Sequence, residues 1–206
     1  MLTSFFIGHF SLLIVFLALL GLCVAQIVAS ASNLYLLSDA LPKRTYACIL
    51  GGIMSLLSFV PTFRHYRFLA FLAVVGTAYT ALYLTIDAAT IGPQEDVTYG
   101  APTSFDGFFT GFVNLVFMFG AHTAAIEKAV VMDDPYHYDK AYGHATIYVY
   151  LITLPTGITG YHSFGLEAQH KSNAFYLFPA SPARSIALVL MIIHQFVAFG
   201  LFGKFV

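Results

Sequence analysis

The sequence predicts an all-α, polytopic membrane protein with six transmembrane helices. Of its 206 residues, 59% are hydrophobic and only 9% are charged, whereas soluble domains carry roughly a quarter charged residues. The charges leave six uncharged runs, each long enough to supply the roughly 20 residues that cross a bilayer. No run alternates at period two, so helices rather than barrel strands must satisfy the backbone hydrogen bonds. After the first run, which precedes Asp39, the others occupy residues 45–63, 68–86, 107–126, 141–166 and 185–203.

The first run is uncharged from its start and ends in a polar group. A secretory signal is an alternative, because Ala29-Ser30-Ala31 resembles a cleavage site, but the run lacks a leading positive charge and exceeds the length of a signal core. Ser30, Ser32 and Asn33 are candidates to line a transport pathway. They are also candidates to bridge helices, since such side chains form interhelical hydrogen bonds of about 0.6 kcal/mol each.

Two cysteines and a proline also occur inside apolar segments. Cys23 and Cys48 have neither metal-ligand spacing nor the pattern of a disulfide framework, so we expect both to be small buried hydrophobic residues. Pro155 and Gly157 in the fifth run predict either a kink or a local adjustment of packing.

The fourth run contains the strongest candidate for a functional site. Gly120 and Ala121 directly precede His122. Asn114 lies two turns earlier, and Glu127 follows. Small residues permit a helix break, and the half-helix ends at such breaks hold anionic substrates and ions in many transporters. The alternative is close helix packing around small residues, with His122 hydrogen-bonded to a neighbouring helix.

The sixth run carries His194 and Gln195 at its middle, where they are candidates for a pathway or for an interhelical bridge. A haem, metal or enzyme site is disfavoured, because the histidines lack partners at coordinating spacings and no HExxH or nucleophile motif occurs. The formal net charge of -1 provides no basic surface for nucleic acid. We therefore expect no metal, no catalytic residue and no nucleic-acid partner.

Short motifs follow one another in a fixed order along nearly the whole chain. They are Ser30-Ala31-Ser32-Asn33-Leu34-Tyr35, Lys43-Arg44-Thr45, Val60-Pro61-Thr62-Phe63, His65-Tyr66-Arg67, Tyr79-Thr80-Ala81, Phe119-Gly120-Ala121-His122, Ser172-Asn173-Ala174-Phe175 and Ile193-His194-Gln195-Phe196. In order and spacing, the motifs resemble those of the auxin influx carriers of plants and algae, a branch of the amino acid/auxin permease family.

The resemblance implies that the six helices are the third to eighth of a longer carrier. The fold of that carrier consists of two inverted repeats of five helices, with broken first and sixth helices. The fourth run would be the sixth helix, with Ala121 where the family has glycine. Residues 1–206 would form a single, incomplete amino acid transporter domain, so we expect a fragment, an incomplete gene model or a degenerate copy.

The resemblance also implies an activity, the proton-coupled import of indole-3-acetate by a multi-pass plasma-membrane protein. His122 would couple protons to the substrate, because an imidazole with an unperturbed pKa of about 6.5 titrates between an acidic exterior and a neutral cytoplasm. Protons would be the coupling ion, with no other cofactor. The expected partners are the bilayer and a small molecule; the oligomeric state is not predicted. The alternatives are an amino-acid/proton symporter of the same family and a non-transporting remnant.

Overall fold

The computed structural model describes residues 2–57, 59, 66–102, 104–119 and 134–203, and it contains six α-helices in that part of the chain. They are α1 (Leu2–Leu37), α2 (Lys43–Leu57), α3 (Tyr66–Ile91), α4 (Phe105–Phe119), α5 (Tyr138–Phe164) and α6 (Pro182–Phe202). The 3-10 helices in these ranges are Pro135–His137, Gly165–His170 and Ala174–Leu177. The described residues include no strand, and the described part of each predicted run lies mostly in one of these helices, which confirms the all-α prediction.

Three helices in the described ranges are long and apolar enough to cross a membrane. Their qualifying parts are His9–Leu37, Phe68–Ile91 and Pro182–Phe202, with 29, 24 and 21 residues. At a rise of 1.5 Å per residue, even the shortest is about 31 Å long and matches the hydrocarbon core of a bilayer. The described parts of α2 and α4 have 15 residues each. The longer α5 contains threonines and glycines that lower its hydropathy.

Large apolar side chains are exposed along the long helices. Leu12, Phe71 and Ile86, for example, expose 68%, 67% and 63% of their surface. Each such group would be costly to hydrate in water, at about 25 cal/mol per Å² of apolar surface, whereas lipid tails solvate it without that cost. The exposure of these side chains therefore fits a multi-pass membrane protein.

One compact unit comprises residues 1–83 and 179–206, and it contains α1, α2, α6 and most of α3. Within it, α6 packs against α1 and α2, which also pack against each other. Burial of apolar side chains between the three helices gives this unit a close-packed core. The core residues are Cys23, Met54 and Phe199 in one cluster, and Ala31, Tyr46 and Leu50 in another.

The two cysteines differ in burial. Cys23 lies in the core, as predicted, but Cys48 is exposed, so the prediction that Cys48 is buried is wrong. The reason is the helical period: the buried residues of α2 are Tyr46, Leu50 and Met54, which recur every four positions and share one face. Residue 48, two positions after Tyr46, therefore points to the opposite face.

The second compact unit comprises residues 84–178, with the end of α3, all of α4 and α5, and the 3-10 helices that flank α5. α5 continues through Pro155 and ends at Phe164, and the next residue, Gly165, has a φ of 53° in the left-handed region. A side chain at position 165 would collide with the carbonyl oxygen of Thr98 and approach Cγ2 of Val97 to 2.7 Å. Only glycine therefore permits this turn.

Candidate functional site

A buried polar cluster connects α1 and α6 in the first unit. Oε1 of Gln195 accepts a hydrogen bond from Oγ of Ser30 at 2.9 Å and another from Nδ2 of Asn33 at 3.3 Å. Ser30, Asn33 and Gln195 expose only 0%, 2% and 5% of their surface. Since so little of these groups is accessible, the geometry favours an interhelical bridge for Asn33 and Gln195 over direct contact with a substrate.

Ser32 and His194 are sequence neighbours of this cluster, and both are half-buried. Nδ1 of His194 is shielded from solvent and has no hydrogen-bond partner among the residues that the structure describes. Buried polar atoms are nearly always hydrogen-bonded, so this ring nitrogen can pair with a water molecule or a substrate. The prediction that Ser32 and His194 line a pathway stays a prediction.

A cavity of about 860 Å³ lies inside the second unit, where α4, α5 and the segment 165–178 surround it together with Leu84 of α3. Its volume falls within the roughly 300–1,000 Å³ of small-molecule sites. Asn114, predicted from sequence as a site residue, belongs to its wall. Because Asn114 lines it, this cavity is a candidate for a substrate site.

α4 and α5 line the cavity with one and the same spacing. α4 contributes positions 106, 107, 110, 111 and 114, and α5 contributes positions 156, 157, 160, 161 and 164. The intervals i, i+1, i+4, i+5 and i+8 mark a single face of an α-helix. A Cβ atom added at Gly111, Gly157 or Gly160 would meet no atom within 4 Å. At these positions the backbone, rather than a side chain, borders the open space.

Three phenyl rings belong to the described lining, those of Tyr161, Phe164 and Phe178. Phe164 and Phe178 are buried and pack edge to face, with ring centroids 5.2 Å apart and planes at 78°. Tyr161 is 44% exposed. Its hydroxyl accepts a hydrogen bond from the N–H of Gly100 at 2.9 Å and donates one to the carbonyl oxygen of Gly100 at 3.1 Å.

Asp106, His170 and Lys171 bring ionisable groups to the lining. Asp106 lies in the first turn of α4, where the positive end of the helix dipole stabilises a carboxylate. Nζ of Lys171 is 3.4 Å from Oε1 of Glu167. Because that pair is partly exposed, it contributes little free energy and can be exchanged for another anion. In the ranges described, no three His, Cys, Asp or Glu side chains are grouped to hold a metal ion.

Four of the predicted site residues, Gly120, Ala121, His122 and Glu127, lie outside the described residues. Their predicted roles in a helix break and in proton coupling stay predictions. The described part of α4 ends at Phe119, directly before them. Of the fourth run's candidates, Asn114 alone can be assigned to the cavity.

Sequence reasoning missed Thr110, Thr156, Gly160 and Tyr161 as lining residues. Glycines about one helical turn apart, Gly107 and Gly111 in α4 and Gly157 and Gly160 in α5, provided a signal that could have found the two walls. Tyr161 carried no such signal, because one tyrosine near a helix end is also typical of the membrane interface.

A family model described as "Transmembrane amino acid transporter protein" matches residues 5–204 of the chain. Auxin transporter-like protein 5 of Medicago truncatula and auxin transporter-like protein 1 of Arabidopsis thaliana are each 41% identical to it over 177 residues, covering 86% of this chain and 36% of the relative. Auxin transporter-like protein 2 of Oryza sativa subsp. japonica is also 41% identical over 177 residues, covering 86% of this chain and 37% of the relative.

The chain thus spans little more than a third of the length of these curated relatives. No solved structure matches the chain.

Proposed function

Because the chain belongs to the transmembrane amino acid transporter family, a family of membrane transporters, we propose that it carries part of the substrate pathway of a plasma-membrane symporter. The substrate of that symporter is indole-3-acetate, and protons are the coupling ion. Similarity to proteins named auxin transporter-like supports this choice of substrate. Because the chain covers about a third of those relatives, the proposal concerns its contribution to a longer carrier.

The cavity of the second unit is the observation that carries the proposal. Indole-3-acetate consists of a flat aromatic ring and a short carboxylate arm. The glycine-rich faces of α4 and α5 leave room for a flat ring, and Tyr161 offers an aromatic surface beside them. Lys171 and His170 provide groups that attract or hydrogen-bond a carboxylate, and Asn114 provides an amide donor.

Charge arithmetic supports coupling to more than one proton. Moving a single negative charge inward against a membrane potential of 100 mV, inside negative, costs about 2.3 kcal/mol. With one proton the complex is neutral, and with two it carries a positive charge that the same potential draws inward. We assign the coupling to His122, with Glu127 as the accompanying carboxylate, because histidine titrates between the pH of an acidic exterior and that of the cytoplasm.

An amino acid is the second candidate substrate, and Asp106 is the observation that favours it. An amino acid carries an ammonium group as well as a carboxylate, and a carboxylate in the lining offers that ammonium a partner. Indole-3-acetate has no cation, so the Asp106 carboxylate offers it no ion-pair partner. Replacement of Asp106 by Asn therefore distinguishes the two: it weakens amino-acid binding and leaves indole-3-acetate binding unchanged or strengthened.

The composition of the chain allows a direct binding test. The chain contains no tryptophan, so the indole emission of the ligand can be excited at wavelengths where the protein's tyrosines do not absorb. Titration of indole-3-acetate with the chain in lipid nanodiscs is expected to give a saturable blue shift, as the ring leaves water for an apolar site. Unlabelled neutral amino acids should not reverse it.

Transport is tested separately, in proteoliposomes with an acidic exterior and radiolabelled indole-3-acetate. Saturable uptake that increases with external acidity supports the proposal. Binding without uptake would favour a non-transporting protein, and reversal of the emission shift by neutral amino acids would favour the second candidate. An unshifted emission would overturn the assignment of indole-3-acetate to this chain.

A further inference from the structure

Tyr161 belongs to the cavity lining, and its hydroxyl is held by a neighbouring loop. The hydroxyl is hydrogen-bonded twice to Gly100, as acceptor from its N–H at 2.9 Å and as donor to its carbonyl oxygen at 3.1 Å. A phenol has one proton to donate, and here that proton is committed to the carbonyl of Gly100. The side chain is therefore left with its ring, rather than a hydrogen-bond donor, to offer a ligand in the cavity.

The loop that holds this hydroxyl is itself attached to the end of α5. The hydroxyl of Tyr99 donates to the carbonyl oxygen of His162 at 2.7 Å. The N–H of Gln94 donates to the carbonyl oxygen of Ser163 at 3.2 Å. Carbonyls in the last turn of a helix lack partners within the helix, so these bonds satisfy them. The loop and the end of α5 thereby form one hydrogen-bonded unit.

The same unit orients the ring of Tyr161. The Tyr99 ring lies beside it, with centroids 5.6 Å apart and planes at 58°. The N–H of Leu166 donates to the carbonyl oxygen of Thr98 at 2.9 Å, just beyond the tight turn at Gly165. A ring held by its hydroxyl at one end and by its own helix at the other pays little entropy to bind a ligand.

Accessibility distinguishes Tyr161 from the other phenyl rings of the described lining. Phe164 and Phe178 expose 5% and 6% of their surface and are packed against each other. Tyr161 exposes 44%. The glycines on the faces of α4 and α5 offer only backbone to a ligand. In the described lining, then, Tyr161 is the phenyl-bearing residue with accessible surface.

We propose that Tyr161 is a specificity-determining residue, an aromatic platform oriented by Gly100 that makes the cavity select planar aromatic carboxylates over saturated ones of similar size. The inference rests on the proposed function, because it assumes an aromatic carboxylate as the ligand. An offset-stacked pair of rings favours the aromatic ligand beyond the burial of apolar area. A saturated ring gains only the free energy of burying its apolar area.

The test compares two ligands on three variants of the full chain in lipid nanodiscs. The ligands are indole-3-acetate, followed by its own emission, and cyclohexaneacetate, which has a carboxylate arm and a saturated ring and is measured by displacement of indole-3-acetate. Tyr161→Leu keeps apolar bulk and removes the aromatic ring, whereas Tyr161→Phe keeps the ring and removes the hydroxyl. Tyr150→Leu is the matched control, because Tyr150 is 46% exposed on the same helix and does not belong to the cavity lining.

The selectivity ratio, rather than affinity alone, is the readout. Tyr161→Leu is expected to weaken indole-3-acetate binding by roughly three- to tenfold with little change for cyclohexaneacetate, which corresponds to the loss of one aromatic pair. Tyr150→Leu is expected to retain the wild-type ratio. Tyr161→Phe keeps the ring but loses its hydrogen bonds to Gly100, so its ratio is expected to lie between those of the wild type and Tyr161→Leu. Circular dichroism confirms that each variant keeps its helix content, and the Phe variant shows whether loss of the loop contact matters by itself.

Two failures are distinguishable. In the first, the wild-type chain binds indole-3-acetate, but Tyr161→Leu weakens the binding of both ligands equally or of neither. That result overturns the platform, and the proposed function stands. If the wild-type chain binds neither ligand, the proposed function is overturned, and the platform with it.

Discussion

Gln195 and Ser30, which are 165 positions apart in the chain, are joined by a buried hydrogen bond of 2.9 Å between Oγ and Oε1. Asn33 donates to the same oxygen. One acceptor on α6 thus satisfies two donors on α1, separated by three positions and therefore on one face of that helix. Such a bridge specifies how α1 and α6 are rotated about their axes, which apolar contacts alone specify poorly.

Replacement of Gln195 by Ala is expected to destabilise the protein. The change removes the buried acceptor that Ser30 and Asn33 share, at a cost of about 0.5–2 kcal/mol. The midpoint of thermal unfolding in detergent micelles measures the effect. Gln169→Ala, which truncates an exposed glutamine, should leave the midpoint nearly unchanged. Equal midpoints for the two variants would contradict a bridging role.

Replacement of Gly165 by Ala is expected to destabilise the second unit by more than about 1 kcal/mol, because the residue has positive φ and an added Cβ collides with the Thr98 carbonyl. Gly143→Ala on the same α5 is the control, since a Cβ there meets no atom within 4 Å. In a helix interior that change is expected to be neutral or to stabilise by up to about 1 kcal/mol. The same thermal measurement tests both, and a stabilised Gly165→Ala variant would disprove the assigned turn.

Replacement of Gly157 by Leu is expected to fill the cavity. No atom lies within 4 Å of the position that its Cβ would occupy, so the helix tolerates the side chain while the space for a ring is lost. Indole-3-acetate binding, followed by the emission shift, should weaken by at least about tenfold, or 1.4 kcal/mol. Gly143→Leu, outside the cavity lining, should bind as the wild type does. Unchanged binding by Gly157→Leu would place the ligand elsewhere.

Replacement of His122 by Gln is expected to abolish the stimulation of uptake by external acid. A histidine that binds the coupling proton is increasingly protonated as pH falls through about 6.5, its unperturbed pKa, so wild-type uptake rises in that direction. Glutamine cannot take up that proton, and the profile becomes flat. Initial uptake rates in proteoliposomes across this pH range provide the measurement. The control is His137→Gln, in an exposed pair with Asp134, which should keep the wild-type profile. If uptake by the His122→Gln variant still depends on pH, His122 is excluded from the coupling.

The helices were predictable because they are the structure that an apolar run adopts when the bilayer is its solvent. Runs of about 20 uncharged residues need a hydrocarbon environment, and hydrocarbon leaves the backbone no partner except its own helix. α1, α3 and α6 followed from that requirement alone. The burial of Cys48 was predicted wrongly, because in a run that is apolar on every side hydropathy does not indicate which face turns inward.

By itself, the sequence determined that the chain lies in lipid and that it forms helices. Through motifs in a fixed order, it also determined the family. The tertiary structure decided which residues meet: Gln195 with Ser30 and Asn33, the matching faces of α4 and α5, and Tyr161 with Gly100. The physical reason is that these contacts depend on the rotation of each helix about its axis. In lipid, rotation is set by a few polar bonds and by the packing of small residues between distant segments, and neither is encoded in the local pattern of apolar residues.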